Sequence, residues 1–491
     1  MKYLLYYNLD SKFVSDQINV GGDGTNVVSV VDGVAWTNDQ ENVYYRYVKP
    51  DSENLTSYTI TIHYKDINGD SIAPDDVVTV DGYVGKKVSE TITAKSISGY
   101  TILSDDVETL TMDGNIEHTF AYGSTSLEKR PLTFRILRSG TIRWRCASSS
   151  STYKRTIQYR KNGGTWTSIT SNTGSSAPSI NVVDGDIVEF KGDNNSYYSG
   201  SQNCFSSSTP DLRFNAYGNI MSLIDSTDFE NLKTLTSAST FYGLFSGCTS
   251  LVNADGLLLP ATTLGYSCYR SMFKACTSLT SAPELPATRL TEYCYYEMFS
   301  GCTSLTSAPN LPATNLPTSC YESMFRGCTS LTRAPEIQAF NIGSRSCADM
   351  FHGCTNLIYS PSKIGGGTLA YCCCVSMFSE CTNLTTVPEL PSTGMAEVCY
   401  NYMFWKCTNI TKSPELPATT LTPSCYHEMF YGCSKLNYIT CLATTNLNSN
   451  YLGNWVSGVA STGTFVKNPN ASSWTTGVNG IPANWTVQNA S

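Results

Sequence analysis

The sequence predicts a multidomain, mainly β protein, in which small β domains precede an α/β solenoid of about eight repeated units and a C-terminal β cap. Three observations support this prediction. The chain has 491 residues, more than one compact core usually holds. A Phe-x-x-Cys step recurs eight times in its C-terminal half. Its N-terminal half contains short alternating apolar runs bounded by Gly, Asn and Asp, a pattern typical of strands and turns.

Charge and hydropathy exclude some classes of function. The chain has 32 Lys and Arg against 40 Asp and Glu, a net charge of −8. This balance argues against a nucleic-acid partner and against a polybasic membrane anchor. No apolar run approaches the roughly 20 residues of a spanning helix, so we expect no membrane association. The opening MKYLLYYNLDSKF is too short in apolar residues for a secretory core, so we expect no signal peptide.

Three β regions are predicted before the repeat. Residues 1–55 contain two β-rich runs separated by polar turn residues and form an N-terminal β region. Residues 56–124 alternate as strands, and the D-I-N-G-D at 66–70 is interpreted as a hairpin turn, since the ligating Glu of a calcium loop is missing. Residues 125–216 show another alternating pattern, with a turn at Asn162-Gly163, and predict a β-sandwich-like domain.

The repeat occupies residues 217–446, including an N-terminal capping segment. Successive steps are 28, 26, 26, 26, 27, 26 and 26 residues apart, inside the 20–29-residue range of leucine-rich repeats. The Phe-x-x-Cys steps end at Cys248, Cys276, Cys302, Cys328, Cys354, Cys381, Cys407 and Cys433. One unit cannot bury its own apolar face, whereas a stack of units can.

Each unit is predicted to contain a short helix and a brief strand. In the second copy an apolar stripe with helical spacing runs from Cys268 to Cys276. Leu279, Ala282 and Leu285 then follow at a spacing that buries one edge of a strand, and Pro283 limits that strand to two or three residues. Residues 447–491 lose the repeat, and their Trp residues predict a β cap that closes the open end of the core.

The repeated cysteines are interpreted as buried packing groups, with disulfides and metal ligation as alternatives. Pairs such as Cys294 and Cys302 are eight residues apart, whereas zinc ligands are usually two to four apart. The triplet 372–374 is predicted to be the place where an exposed, oxidisable thiol occurs. The fifth unit departs from the pattern, since Cys347 is one residue closer to Met350 than in other copies. A local bend or a specialised surface is predicted there.

The candidate binding site is a column of residues that precede the buried Ala of each strand and point outward. Its members vary from unit to unit: Ser281, Ser307, Arg333, Tyr359, Thr386, Lys412 and Tyr438, with Asn253 before them. A second column is largely acidic: Glu284, Asn310, Glu336, Ser362, Glu389 and Glu415. A solvated face and a binding stripe for glycan or protein both account for these columns.

No catalytic motif is found, so we expect no enzyme, no cofactor and no metal site. The four His residues have no neighbouring nucleophile motif, and G-x-S-x-G is absent from the sequence. The stacked Glu positions form a regular ladder rather than a unique pair of carboxylates suited to glycoside hydrolysis.

Three stretches resemble known families. The repeat at 245–441 resembles the BspA-type leucine-rich repeat, whose units read A-F-x-x-C-x-x-L before a Pro-containing turn, with Met-Phe here in place of Ala-Phe. Residues 57–122 resemble a MucBP-type module, whose Y-x-D-x-N-G-x-x-I-A-P element is present from Tyr64 to Pro74. The opening VDGVAWTNDQENVYY is similar to the N-termini of virion proteins from tailed phages of gut bacteria. These resemblances imply adhesion without catalysis.

The resemblances lead us to expect a virion appendage, such as a head or tail fibre or a capsid decoration. Phage structural proteins assemble in the host cytoplasm and leave by lysis, so adhesion modules and free thiols are compatible with a missing signal peptide. The expected partners are other virion proteins through the N-terminal region, a host-surface or mucosal glycan or protein, and further copies of the chain in a trimer or dimer. The alternative is a bacterial surface or secreted leucine-rich-repeat adhesin.

Overall fold

The computed structural model contains two compact units, residues 1–122 and residues 123–491. It describes residues 27–31, 34–38, 44–48, 55–66, 71–83, 87–97, 100–102, 107–146, 154–173, 176–197 and 204–490. The opening residues and the turn at 67–70, both subjects of sequence predictions, lie outside the described residues. The described part is mainly β, as predicted, and its one α-helix spans Ser449–Leu452.

The first unit begins with a three-stranded antiparallel sheet. Its strands are β1 (Val27–Val31), β2 (Val34–Asn38) and β3 (Tyr44–Val48). Strand β2 is central and pairs with both neighbours. The predicted β character of this region is confirmed, and its anchoring role stays a prediction.

Two further sheets complete the first unit. The strands are β4 (Leu55–Asp66), β5 (Ser71–Tyr83), β6 (Val88–Thr93), β7 (Tyr100–Ile102), β8 (Val107–Met112) and β9 (Ile116–Ser124, whose last residues enter the second unit). One sheet has the order β5-β4-β9-β7, and β6 pairs with β8 in the other. β4 and β5 are antiparallel, so the strands on either side of the predicted hairpin turn pair as expected.

Alternation along β4 creates the core of this unit. Tyr58, Ile60, Ile62 and Tyr64 are buried, while the residues between them are partly or largely exposed. Their side chains join Phe120 and other apolar residues in one cluster. β-Branched and aromatic residues at every second position are what a half-buried strand requires, so the sequence forms a strand here.

The second unit begins with two sheets that share a core. Its first strands are β10 (Leu132–Arg138), β11 (Gly140–Trp144), β12 (Thr156–Lys161), β13 (Thr167–Thr170), β14 (Ser179–Val182), β15 (Ile187–Gly192), β16 (Phe205–Ser207) and β17 (Arg213–Asn219). β13-β12-β15-β10-β17 form one sheet and β14-β11-β16 the other. The rings of Phe134, Phe190 and Phe205 lie 4.7–5.0 Å apart between them.

The strands of the repeat have two to five residues. They are β18 (Thr234–Leu235), β19 (Leu251–Asn253), β20 (Leu257–Leu258), β21 (Thr263–Leu264), β22 (Asn315–Leu316), β23 (Asn341–Ile342), β24 (Lys412–Leu416), β25 (Tyr438–Cys441), β26 (Thr464–Lys467) and β27 (Thr486–Asn489). All the strand pairs among them are parallel and join successive coils of the chain. The predicted limit of two or three residues is wrong for Lys412–Leu416, a five-residue strand that includes Pro414. Among the described residues, 3-10 helices include Thr125–Lys129, which precedes the repeat, and Ile220–Leu223 and Phe229–Asn231.

The predicted short helix of each unit is wrong. The segment around Met272 is a series of turns in which Tyr269, Ser271 and other alternate residues have φ between +51° and +59°. Met272 N–H bonds locally to the Tyr269 carbonyl at 3.1 Å, whereas Ser271 N–H bonds to the Tyr296 carbonyl of the next coil at 2.8 Å. Because every second backbone N–H bonds to a carbonyl of the next coil, the i→i−4 hydrogen bonds of an α-helix do not form.

Identical side chains stack along the repeat. The Phe rings from Phe245 to Phe430 follow one another at centroid distances of 5.4–5.7 Å and lie within 7° of parallel. Beside them, the seven Phe-x-x-Cys cysteines from Cys276 to Cys433 each donate the thiol hydrogen to the carbonyl of the Phe one coil earlier, as Cys354 does to Phe325 at 3.0 Å. All twenty cysteines are buried and free. Their predicted packing role is therefore confirmed.

The predicted exposed thiol in the triplet is wrong, because Cys372, Cys373 and Cys374 are 5%, 0% and 0% exposed. The hydrogen bonds between coils explain this burial. The backbone N–H groups of Cys347 and Cys374 donate hydrogen bonds to carbonyls of the following coil, as the N–H of Tyr321 does. Both cysteines therefore occupy positions that a Tyr occupies in other coils. This register also explains why Cys347 lies one residue closer to Met350.

The core continues past both predicted ends of the repeat. One apolar cluster extends from Leu132 to Trp485. At one end, the predicted domain limit between residues 216 and 217 lies within β17, which pairs in parallel with β19 and β20. At the other end, β25, β26 and β27 pair in parallel, and Trp455 stacks on Tyr426 where the sequence repeat is already lost.

Candidate functional site

The predicted outward column lies at the surface of the stack. Five of its residues lie between a buried Leu and a buried Pro, whereas Ile410 replaces the Leu before Lys412, and Tyr438 lies between the buried Leu436 and Ile439. Ser307, Arg333, Tyr359, Thr386 and Lys412 are exposed, whereas Ser281 and Tyr438 are half-buried. The structure therefore places all seven predicted residues where a large partner can reach them.

Pairing between coils aligns the column members. Arg333 pairs in parallel with Tyr359, and Lys412 of β24 pairs with Tyr438 of β25. Ser281 pairs with Asn253, whose amide nitrogen is 3.5 Å from the Ser281 hydroxyl. Residues paired in parallel project from the same side of adjacent strands, so the column is continuous wherever such pairs occur.

Two pairs of column residues form cation–aromatic contacts. The guanidinium carbon of Arg333 lies 4.3 Å from the centre of the Tyr359 ring, and the ammonium of Lys412 lies 5.1 Å from the Tyr438 ring. Tyr359 is 41% exposed despite this contact. Each contact holds a long cationic side chain against a ring and reduces the entropy that the side chain loses on binding. Exposed Arg and Tyr are also the residue types that contribute most to protein interfaces.

Thr386 separates these two pairs and is itself held in place. Its hydroxyl accepts a hydrogen bond from the Ser360 backbone N–H at 2.7 Å and lies 3.2 Å from the Ser360 hydroxyl. The coil of Thr386 is therefore joined to the coil of Tyr359 by a side chain as well as by the backbone. The surface from Arg333 to Thr386 is consequently fixed before any partner arrives.

A cleft of about 340 Å³ lies beside the column between the turn that ends the fourth unit and the turn of the irregular fifth unit. Glu336 lines it and accepts hydrogen bonds from the Ser362 N–H at 3.0 Å and from the Ser362 hydroxyl at 2.6 Å. Lys363 and the ring of Phe340 complete the polar and apolar parts of its wall. Phe340 is 59% exposed, so a flat apolar group is presented to solvent next to a carboxylate and an ammonium.

Glycines next to the cleft allow the chain to pass close to the Phe340 ring. A Cβ atom at Gly367 would lie 2.5 Å from the Phe340 ring, and one at Gly366 would lie 2.9 Å from it. Gly366 also has a φ of +142°, which side-chain-bearing residues rarely adopt. The sequence prediction of a specialised surface in this unit did not identify Phe340 or Lys363. The sequence feature that could have indicated this cleft is the Gly-Gly-Gly run at 365–367, where other units have a Pro-containing turn.

The repeat also carries buried thiols. Burial raises the pKa of the Cys302 and Cys354 thiols to about 12, which keeps them protonated near neutral pH. Within the described ranges no group of three or more His, Cys, Asp and Glu is arranged to hold a metal ion. No helix in this part of the chain is long and apolar enough to cross a bilayer.

Comparison with known proteins identifies one segment. Residues 59–126 match the MucBP domain family, and the expected MucBP-like module is thereby confirmed. This module is typical of surface and secreted proteins of the adhesion type. No curated protein and no solved structure matches the chain.

Proposed function

We propose that this chain is a non-enzymatic adhesion protein whose repeat is a BspA-type leucine-rich-repeat solenoid. The observation that carries the proposal is the pair of cation–aromatic contacts on the outward column, Arg333 with Tyr359 and Lys412 with Tyr438. The core columns repeat the same residues in almost every coil, while the outward column changes from coil to coil. A surface that varies on a constant scaffold is suited to recognition of a host-surface glycan or protein.

The proposed setting is the virion of a tailed phage, with the N-terminal region bound to other virion proteins and the repeat directed toward the host. Twenty buried free thiols support assembly in a reducing cytoplasm. The alternative setting is a bacterial surface, and the MucBP match favours it, since this module is typical of surface and secreted proteins.

Binding to intact host cells tests the proposed adhesion. The purified full chain is labelled and its binding is compared with that of a variant carrying Arg333→Ala and Tyr359→Ala. We expect the variant to bind about tenfold more weakly or worse, because two interface anchors are removed. The matched control carries Arg289→Ala and Tyr266→Ala, since Arg289 is also exposed and Tyr266 is 49% exposed. Equal losses in both variants, or no binding by the unmodified chain, would contradict the proposed role of the column.

Proteomics of purified phage particles tests the proposed setting. We expect the full chain to co-purify with particles and a chain lacking residues 1–55 to be lost from them while its repeat stays folded. Recovery of the chain only in bacterial surface fractions would instead assign it to the alternative setting.

A further inference from the structure

The outward column does not end with the repeat. Asn253 of β19 pairs with Asn215 of β17, and Asn215 pairs with Arg135 of β10. Phe214 and Phe134, the neighbours of Asn215 and Arg135, are buried in the core on the other side of the sheet. One row of side chains therefore continues from the first coils onto the outer face of the sheet β13-β12-β15-β10-β17.

This sheet belongs to the most basic part of the chain. Residues 123–216 contain 12 Lys and Arg against 6 Asp and Glu, so their net charge is +6. The remaining residues contain 20 Lys and Arg against 34 Asp and Glu, a net charge of −14. A basic segment in an otherwise acidic protein creates a local positive potential that attracts anionic groups.

An open cleft of about 630 Å³ lies on the basic face, with Lys129, Arg130 and Arg160 in its wall. One acidic residue, Glu189, is among the described residues that line it, and it pairs with Arg160 at 2.6 Å. Lys129 is 78% exposed, and its ammonium is 3.9 Å from Glu230. The cleft wall therefore retains a net positive charge after its ion pairs are counted.

Aromatic rings hold several of these cations in place. Trp166 lies between Arg160 and Lys191, with the two cationic groups 4.8 Å and 4.7 Å from its ring. The guanidinium of Arg130 lies 5.6 Å from the Tyr217 ring. Strands pair Arg160 with Glu189, and Gln158 with Lys191, so these side chains share one face of the sheet. Cations fixed on a rigid sheet lose little entropy when they bind an anion.

We propose that this face of the sheet binds an anionic polysaccharide, with its carboxylate or sulfate groups on Arg130, Arg160 and Lys191. The proposal rests on the proposed adhesive function, because the same row of side chains continues into the outward column of the repeat. A duplex nucleic acid fits less well, since its dense phosphates would extend from the basic face over an acidic chain. A polysaccharide with sparse charges can bind the basic face and continue over the uncharged first positions of the column, Asn253, Ser281 and Ser307.

The test uses the full chain and two probes, dextran sulfate of low sulfate content and neutral dextran, in a binding titration. We expect dextran sulfate to bind, neutral dextran not to bind, and affinity for dextran sulfate to fall as salt is added. A variant with Arg130→Gln and Lys191→Gln is expected to bind dextran sulfate about tenfold more weakly. A control with Arg289→Gln and Lys435→Gln loses the same charge elsewhere and is expected to stay within about twofold of the unmodified chain. Equal weakening in both variants would overturn the proposal.

Additional variants and a DNA probe distinguish a wrong assignment of the basic face from a wrong assignment of the adhesive column. Lys191 is half-buried on β15, an inner strand of the sheet, and Lys191→Gln alone is expected to weaken dextran sulfate binding in a protein whose thermal unfolding is unchanged. If it has no effect, the assigned face is wrong. Binding of a DNA duplex as tightly as dextran sulfate would assign the face to nucleic acid instead. The column variant with Arg333→Ala and Tyr359→Ala is expected to keep its dextran sulfate affinity, so a failed basic face and a failed adhesive column give different results.

Discussion

The two sheets of residues 55–122 and the repeat differ in where their order comes from. In these sheets, Tyr58, Ile60, Ile62 and Tyr64 of β4 pack with Phe120 of the neighbouring β9, and the nine buried residues form a self-contained cluster. In the repeat, each coil places its Phe and Cys against those of the coils before and after it. A single coil has no core of its own. The comparison shows that the first region is stabilised by contacts within itself, and the second by contacts between neighbours.

The largest expected difference between the two regions comes from the buried thiols of the repeat. All twenty cysteines lie between residues 146 and 441, and residues 55–122 contain none. Burial raises the pKa of four repeat thiols, Cys248, Cys302, Cys354 and Cys441, from about 9 to about 12. Below pH 9 both the folded and the unfolded chain keep these protons. Above pH 9 the unfolded chain loses protons that the folded chain retains, so the free energy of unfolding falls.

We therefore expect alkaline pH to destabilise the repeat strongly. Between pH 9 and pH 12 each such thiol removes about 1.4 kcal/mol of unfolding free energy per pH unit. Urea unfolding followed by Trp fluorescence at pH 8, 9 and 10 measures this loss, since six of the seven Trp residues are in residues 123–491. An unfolding midpoint that stays constant from pH 8 to pH 10 would show that the thiols are not buried as described.

The Phe ladder gives the next largest effect. Phe351 is 0% exposed and stacks on Phe325 at 5.6 Å and on Phe378 at 5.5 Å. Phe351→Ala is expected to cost about 3–5 kcal/mol of unfolding free energy, because the rings on both sides lose their contact. Phe340→Ala is the matched control, since Phe340 is 59% exposed, and is expected to cost about 0.5 kcal/mol or less. Urea unfolding at pH 7 measures both, and similar costs for the two variants would contradict the ladder.

A hydrogen bond in the self-contained sheet gives the smallest effect. The buried Tyr122 donates its hydroxyl hydrogen to the Lys95 carbonyl at 2.5 Å. Tyr122→Phe is expected to cost about 1 kcal/mol, measured by hydrogen exchange of the amides in residues 55–122. Tyr371→Phe in the repeat serves as control, since Tyr371 is 55% exposed. Loss of protection in the repeat of the Tyr122→Phe variant would show that the two regions are not energetically separate.

Much of this fold follows from the sequence because repetition reveals burial. The recurrence of Phe, Cys and Leu at a nearly constant interval identifies the core positions, and the residue before Ala282, Ala308 and Ala334 marks the outward column in the units that keep this Ala. The predicted helix was wrong for a physical reason. The spacing from Cys268 to Cys276 shows which side chains are buried, and it cannot show that Ser271 N–H bonds to a carbonyl 25 residues later. Hydrogen bonding between coils overrides local helical spacing.

The candidate site was predictable only in part. The outward column was found because its position in each unit is fixed by the neighbouring buried residues. Phe340 and Lys363 were missed because the turns that carry them depart from the repeated sequence. Without the repeated pattern, the sequence does not show which of their side chains face outward. The continuation of the column onto Arg135 depends on pairing between β10, β17 and β19, which alternating patterns alone do not specify.

Hydrogen exchange of the Phe351→Ala variant, resolved by peptide, tests most directly whether coils depend on their neighbours. The account predicts faster exchange in the altered coil and also in the coils of Phe325 and Phe378, with residues 55–122 unchanged. Faster exchange confined to the altered coil, with full protection retained on both sides, would contradict it.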